Sequence, residues 1–318
     1  MIQAPKQLSV VIPIYNERLL IDVLFERISF VHHELCQHYQ WDATDIEWIV
    51  VDDGSTHETK TKLQTLKQTT NIPLTLIHVS RNFGHQVAIS AGVDISRGDA
   101  IVVMDGDLQD PPEVIGTLID TYQQGYDVVY AIRSRRLGES WFKRLSATPF
   151  YRCLRCLTPI DIPLHTGDFR IMSRRVVTIL TQMKEKHRFV RGMVSWIGFK
   201  QTGIFYIRDA RYAGKTHFSF FKMMRLAIDA ITGFSALPLK FISTLGMWFA
   251  CLGFAYLVYV LYQAMSHRVV QGWSSIVCIG LILGGVQLLC LGVIGEYIGQ
   301  IHTEIKKRPL YVIESIDT

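Results

Sequence analysis

The chain has 318 residues, 49% of them hydrophobic, with a formal net charge of +5 and a mean hydropathy of +0.20. That length suits one large domain or two small ones, and the hydropathy is high for a purely soluble protein. The mild charge gives no basis for a nucleic-acid partner; it suits phosphates or an anionic membrane surface.

No basic start followed by an apolar core opens the chain, so no secretory signal is expected and the first half is expected on the cytoplasmic side. Short β-branched runs at 8–14 (LSVVIPI), 46–52 (IEWIVVD), 74–79 (LTLIHV) and 100–104 (AIVVM) then alternate with helical patterns at 17–37, 57–68, 85–96 and 112–124. A fifth strand is expected at 127–131 (DVVYA). Strand-helix alternation of this kind predicts an α/β domain with βαβ units and a mostly parallel, Rossmann-like sheet.

In such sheets the ligand crevice lies beyond the carboxyl ends of the strands. Polar groups follow each strand here. Pro13, Tyr15, Asn16 and Glu17 come after the first, and Asp52, Asp53, Gly54 and Ser55 after the second. Arg81, Asn82, Phe83 and Gly84 follow the third, Asp105, Asp107 and Gln109 the fourth, and Arg133, Arg135 and Arg136 the fifth. Any one of these alone reads as a solvated loop; five in phase predict a site.

The glycine-rich dinucleotide fingerprint and the Walker-type loop are both missing from the sequence. A nucleotide's phosphates must then be neutralised another way, and a divalent cation held by carboxylates is the usual one. The stretch VVMDGDLQDPPE at 102–113 fits that need. Asp105 and Asp107, two apart at a strand end, are expected to reach one ion on a diphosphate, with Gln109 following. His85, His165 and His187 show no spacing that links them into a metal cluster and are read as structural. Cys153 and Cys156 form a lone C-x-x-C, short of the four ligands of a structural zinc site.

Two segments carry amphipathic patterns suited to a membrane interface. WFKRLSATPFYRCLRCL at 141–157 alternates aromatics with Lys143, Arg144, Arg152 and Arg155. In a stretch expected as a juxtamembrane helix over 219–236, Phe220, Phe221, Met224, Ile228 and Ile231 share one helical face, with Lys222 and Arg225 elsewhere. An ordinary core helix is the alternative. Residues 237–318 are then read as a membrane domain. Uncharged runs of 26 residues (241–266) and 27 residues (269–295) predict two transmembrane helices, at about 241–264 and 273–295, since about 20 apolar residues cross a bilayer. Lys222, Arg225 and Lys240 precede the pair and Lys306, Lys307 and Arg308 follow it, which places both termini in the cytoplasm.

The stretches VVIPIYNE, VVDDGSTHET, VSRNFGHQVAISAG, VVMDGDLQDPPE and HTGDFRIMSR resemble family-2 glycosyltransferases of GT-A fold. With the tail GEYIGQIHTEIKKRPLY after two expected spans, the chain is more closely similar to bacterial polyprenyl-phosphate glycosyltransferases of the GtrB type, relatives of dolichol-phosphate mannose synthase. The resemblance implies a cytoplasmic GT-A domain over 1–218 and residue roles within it. Pro13, Tyr15, Glu17 and Asp53 match positions that hold the nucleoside. Asp105, Asp107 and Gln109 match those for a Mg2+ or Mn2+ ion and the diphosphate, and Arg133 matches one near the sugar and acceptor phosphates. Arg211 and His217 fall on the segment RYAGKTH, where the family has lysine in place of His217; Lys215 stands nearby to supply the charge. Arg136 and Lys143 join the candidates for phosphate binding. Asp168 stands where mannose synthases have a small hydroxyl residue.

The resemblance further implies a nucleotide-sugar donor, a polyprenyl-phosphate acceptor in the inner or plasma membrane, and a homo-oligomer, with a tetramer as one state. UDP-glucose is the expected donor; GDP-mannose and a modified arabinose donor are the alternatives. A processive polysaccharide synthase is disfavoured because no Q-x-x-R-W stretch occurs, and an inactive scaffold because both aspartates of the D-x-D are present. The chemistry is direct attack by a phosphate oxygen on the anomeric carbon, hence inversion. Asp107, Asp168 and Arg133 are the expected catalytic set. Asp168 is read as orienting the acceptor or a sugar hydroxyl; capping a helix near Ser173 or pairing with Arg170 is the alternative.

Overall fold

The computed structural model describes residues 5–133, 166–186, 188–207, 237–265 and 272–318. These fall into two compact units. The first holds the described residues up to 207 together with the tail from Pro309 to Thr318, and the second holds the helical region up to Arg308.

The first unit runs β1 (Leu8–Ile14), α1 (Ile21–Tyr39), β2 (Ile46–Asp52), α2 (His57–Thr69), β3 (Leu74–Val79), α3 (His85–Ile95), β4 (Ala100–Val103), α4 (Val114–Gln123) and β5 (Val128–Arg133). It continues with β6 (Thr166–Ser173), α5 (Arg174–Gln182), α6 (Val190–Ile197), β7 (Gln201–Tyr206) and, from the tail, β8 (Ile313–Asp317). The strands form one sheet in the order β7-β5-β6-β4-β1-β2-β3-β8. β1 is buried along its whole length and pairs parallel with β2 and β4, as a strand with helices over both faces must.

The sheet is mixed: β7, β5, β4, β1, β2 and β3 run one way, in keeping with the expected mostly parallel sheet, and two strands are reversed. β6 runs antiparallel to both β4 and β5, and β8 runs antiparallel to β3. β6 escaped the strand pattern because Gly167, Asp168 and Arg170 interrupt its apolar residues. It is nevertheless buried throughout.

Under the sheet, α1 turns Ile21, Leu24, Phe25, Ile28, Val31 and Leu35 inward at three- and four-residue spacing, against a cluster that includes Trp48, Val50 and Leu63. Each fully buried side chain of this kind contributes roughly 1.5–3 kcal/mol. Trp48 Nε1 donates to His32 Nδ1 at 3.1 Å, which satisfies the buried indole. Burial lowers the pKa of His32, in keeping with an acceptor Nδ1.

The second unit contains α7 (Leu237–Met265) and α8 (Trp273–Ile305). Both extend past the runs expected from the sequence. Pro238 lies in the first turn of α7, where no intrahelical N–H is needed. α8 runs on through Glu296 and Glu304. Among the described residues, one segment, Leu283–Ile305, is long and apolar enough to cross a membrane by length and composition, and Gly246–Tyr256 is a shorter apolar stretch.

Candidate active site

The polar strand ends meet at one edge of the sheet. After β1, Asn16 takes a left-handed backbone with φ of 55°, a conformation asparagine tolerates. Its N–H donates to Ser55 Oγ at 2.9 Å, and its Oδ1 accepts from Thr56 N at 2.9 Å. The loops after β1 and β2 are thereby tied together, with Tyr15 and Glu17 on either side of the tie. Asp53 reaches the other way: its carboxylate accepts from Phe83 N at 2.8 Å, Gly84 N at 2.9 Å and Asn82 Nδ2 at 3.0 Å. Burial raises its pKa against the amides of Phe83 and Gly84. Between them Gly54 has φ of 67°, and a Cβ there would lie 2.3 Å from the Arg81 carbonyl carbon. Glycine is therefore required where these two loops touch.

The D-x-D loop follows β4. Asp105, Asp107 and Gln109 are each half-buried, and Gln109 N donates to Asp107 Oδ1 at 3.1 Å. Leu108 between them is buried with φ of 59°, an unfavourable backbone for a bulky residue. Strain of this sort is held by the surrounding fold and concentrates at functional loops.

Asp105 faces a charged cluster. His85, at the first position of α3, places Nε2 3.3 Å from Asp105 Oδ1 and 3.3 Å from Asp168 Oδ2. This corrects the structural reading of His85, which sits among the acidic residues of the site. Asp168, on β6, is 2% exposed. It accepts from Arg191 Nε at 2.9 Å and Nη2 at 3.3 Å, and from Gln86 Nε2 at 2.8 Å. Arg170 Nη2 lies farther off, 3.7 Å from Asp168 Oδ1. Burial pushes the Asp168 carboxyl up, but Arg191 and His85 outweigh it and hold the group well below the usual carboxylate range. Asp105 is lowered in the same way: burial raises it and His85 lowers it more. His85 is raised to about 10, because its bonds to Asp105 and Asp168 outweigh desolvation. The helix-capping alternative for Asp168 does not hold, since α5 starts after Ser173 with no side-chain cap bond.

Arg133, at the end of β5, is half-buried. Its guanidinium lies over Gly167, where a Cβ would stand 2.6 Å from Nη2. It also bonds the Tyr206 hydroxyl, which in turn donates to the buried Asp110. Burial and Asp110 both raise the Tyr206 pKa, so the phenol stays neutral. Arg135, Arg136, Lys143, Arg211, Lys215 and His217 lie outside the described residues, as do His165, His187, the C-x-x-C and both expected interface segments.

His85, Asp105 and Asp168 present ligand atoms within 4.8 Å of one another. The two carboxylates suit Mg2+ or Mn2+ in kind, whereas an imidazole is a softer donor than those ions prefer. The acceptor positions of Asp168 are already occupied by Arg191 and Gln86, so Asp105 and the Asp107–Gln109 loop are the better placed oxygen donors. Sequence reasoning missed His85, Gln86, Arg191 and Tyr206. For His85 and Gln86 a signal existed: they open the helix directly after the RNFG loop.

Residues 9–180 match the family model of glycosyl transferase family 2, and residues 237–301 match that of the GtrB C-terminal hairpin. The chain belongs to glycosyltransferase family 2. This glycosyltransferase is 46% identical to YkcC, a glycosyltransferase of Bacillus subtilis (strain 168), over 97% of its own length and 93% of the relative's. It is 36% identical to the bactoprenol glucosyl transferase of Shigella phage SfX, over 97% of its own length and 99% of the relative's. Among solved structures it is similar to the mannosyltransferase PcManGT of Pyrobaculum calidifontis in complex with GDP-Man and Mn2+, at 16% identity over 84% of each chain with a TM-score of 0.44. The family-2 assignment agrees with the GT-A-like mixed α/β sheet. It agrees equally with the resemblance carried by VVIPIYNE, VVDDGSTHET and VVMDGDLQDPPE.

Proposed function

We propose that this glycosyltransferase moves glucose from UDP-glucose to undecaprenyl phosphate, with inversion, at the cytoplasmic face of the inner or plasma membrane. The observation that carries this reading is the full-length similarity to bactoprenol glucosyl transferases, which spans catalytic domain and C-terminal hairpin in one chain.

In the reaction an oxygen of the lipid phosphate forms a bond to the anomeric carbon as the bond from that carbon to the nucleoside diphosphate breaks. The acceptor phosphate has a second pKa of about 6, so it arrives ionised and needs no strong base. Asp168 is not placed to be one: it is held ionised by Arg191, Gln86 and His85, with its oxygens engaged. Its role is to fix His85 beside Asp105. Tyr15, Glu17 and Asp53 border the nucleoside pocket, and Arg133 meets the acceptor phosphate by charge-assisted hydrogen bonds. A Mg2+ or Mn2+ ion held by Asp105, Asp107 and Gln109 supplies Lewis-acid stabilisation of the leaving diphosphate. The residues present fit such an ion.

α7 and α8 are proposed to cross the membrane as a pair. Lys306, Lys307 and Arg308 directly after α8 support a cytoplasmic end, and the tail's return to the catalytic sheet as β8 supports an end on the same side as that sheet. The test is transfer of labelled sugar into a lipid fraction by the full-length chain, with UDP-glucose and GDP-mannose as parallel donors. Label from UDP-glucose that stops with EDTA and returns with magnesium or manganese is the expected result. Label from GDP-mannose alone overturns the glucose reading, and no lipid label from either overturns the donor assignment.

A further inference from the structure

β8 lies beyond both matched segments of the family, which end at 180 and 301. It adds to the edge of the sheet beside β3, with Ser315 opposite His78 and Asp317 opposite Leu76. The addition is not a loose one. Ser80 N donates to Val312 O at 2.9 Å, Lys67 Nζ donates to Asp317 O at 2.9 Å, and Tyr311 donates to Asp94 Oδ2 at 2.8 Å. Lys60 and Glu314 add an ion pair at 2.7 Å.

His78 carries this contact inward. Its side chain is 3% exposed and stands between two carboxylates: Nδ1 is 2.9 Å from Asp52 Oδ2, and Nε2 is 3.7 Å from Asp317 Oδ2. Nε2 is buried and makes no hydrogen bond, so the tail carboxylate is the charge that faces it. Asp52 passes the constraint on. Its Oδ1 accepts from Ser55 N at 3.0 Å, and Ser55 Oγ accepts from Asn16 N at 2.9 Å. Asn16 is the left-handed residue between Tyr15 and Glu17.

We propose that the C-terminal strand is a positioning element of the donor site, acting from Asp317 through His78, Asp52 and Ser55 on the loop that carries Tyr15 and Glu17. The proposal rests on the reading of Tyr15 and Glu17 as nucleoside residues. From His78 inward the groups are joined by hydrogen bonds that fix their arrangement, and the Asp317 carboxylate acts on them through its charge across 3.7 Å. A strand reached directly from the membrane hairpin therefore sets the loop that receives the nucleotide.

The experiment uses the full-length chain and three variants: Asp317→Ala, His78→Phe, and Lys60→Ala as a control that weakens the same strand without touching the chain of bonds. Amide hydrogen exchange is followed at Asn16, Ser55 and Thr56, and binding of UDP and of GDP is measured by calorimetry. Asp317→Ala should raise exchange at those three amides and the dissociation constant of the bound nucleotide by about fivefold at most, the size of a partly exposed charge pair. His78→Phe should raise both further, and Lys60→Ala should change neither. A purely structural strand would show faster exchange confined to β3 with nucleotide affinity unchanged, and that result overturns the proposal. Wild-type protein that binds neither nucleotide overturns the donor assignment instead, while the exchange at Asn16, Ser55 and Thr56 still decides the coupling.

Discussion

Arg191 Nε donates to Asp168 Oδ1 at 2.9 Å, so a guanidinium from α6 neutralises a carboxylate on a strand inside the sheet. Arg191 Nη1 also reaches Thr166 O at 2.9 Å, and Gln86 Oε1 accepts from Val190 N at 3.0 Å. α3, β6 and α6 are thus closed around one buried charge.

Removing that guanidinium leaves Asp168 short of its main partner. Arg191→Ala should destabilise the protein by roughly 2–3 kcal/mol, below the full cost of a stranded buried charge because His85 and Gln86 remain. Urea unfolding measures it. The double variant Arg191→Ala with Asp168→Asn should recover part of the loss, and strict additivity would show that the two side chains do not interact.

The cluster gives a pH dependence with two limbs. Asp105 and Asp168 titrate below their unfolded values, so their contribution is present above the ordinary carboxylate range and is lost as pH falls through their lowered values. His85 is raised from 6.5 to about 10, so its contribution is full below 6.5 and is lost as pH rises toward 10. The His85 side chain is 45% exposed, and screening reduces the alkaline limb. Stability measured against pH should fall on both sides, and His85→Gln should flatten the alkaline side and also weaken the acid side, because His85 holds Asp105 down while Arg191 still holds Asp168.

Asp107→Asn should nearly abolish transfer while leaving the thermal midpoint within a few degrees. The side chain stands on a loop beyond β4 and takes no part in the core. Wild-type turnover by this variant under saturating magnesium would remove Asp107 from the metal set.

Gly167→Ala places a methyl 2.6 Å from Arg133 Nη2. The guanidinium must move, while the buried strand around it stays paired. Transfer should fall by about tenfold or more, as expected when a charge-assisted contact is misplaced, with the acceptor KM rising more than the donor KM. Equal changes in both would place Arg133 away from the acceptor phosphate.

A domain cut after Pro238 loses β8 and exposes the edge of β3, which invites edge-to-edge association. Size-exclusion chromatography should show aggregation of that fragment. Rejoining residues 309–318 through a flexible linker should restore a soluble domain.

By itself the sequence determined β1, β2 and β3 to the residue, and α2 and α3 to within one, because apolar β-branched runs bounded by turn residues report local backbone and burial together. It likewise placed Asp53 and Asp105 at strand ends, where a parallel sheet gathers its polar groups. Only the tertiary structure decided that β6 inserts antiparallel between β4 and β5 and that β8 closes the far edge, since strand order is a matter of long-range pairing that no local period encodes. The same holds for the cluster at the site. His85 and Asp168 are separated by 83 residues along the chain and meet only because α3 and β6 converge beside β4. Arg191 joins them from a third element. A buried charge is satisfied by whatever partner the fold brings within reach, and that partner's identity is written in three dimensions, not in spacing along the chain.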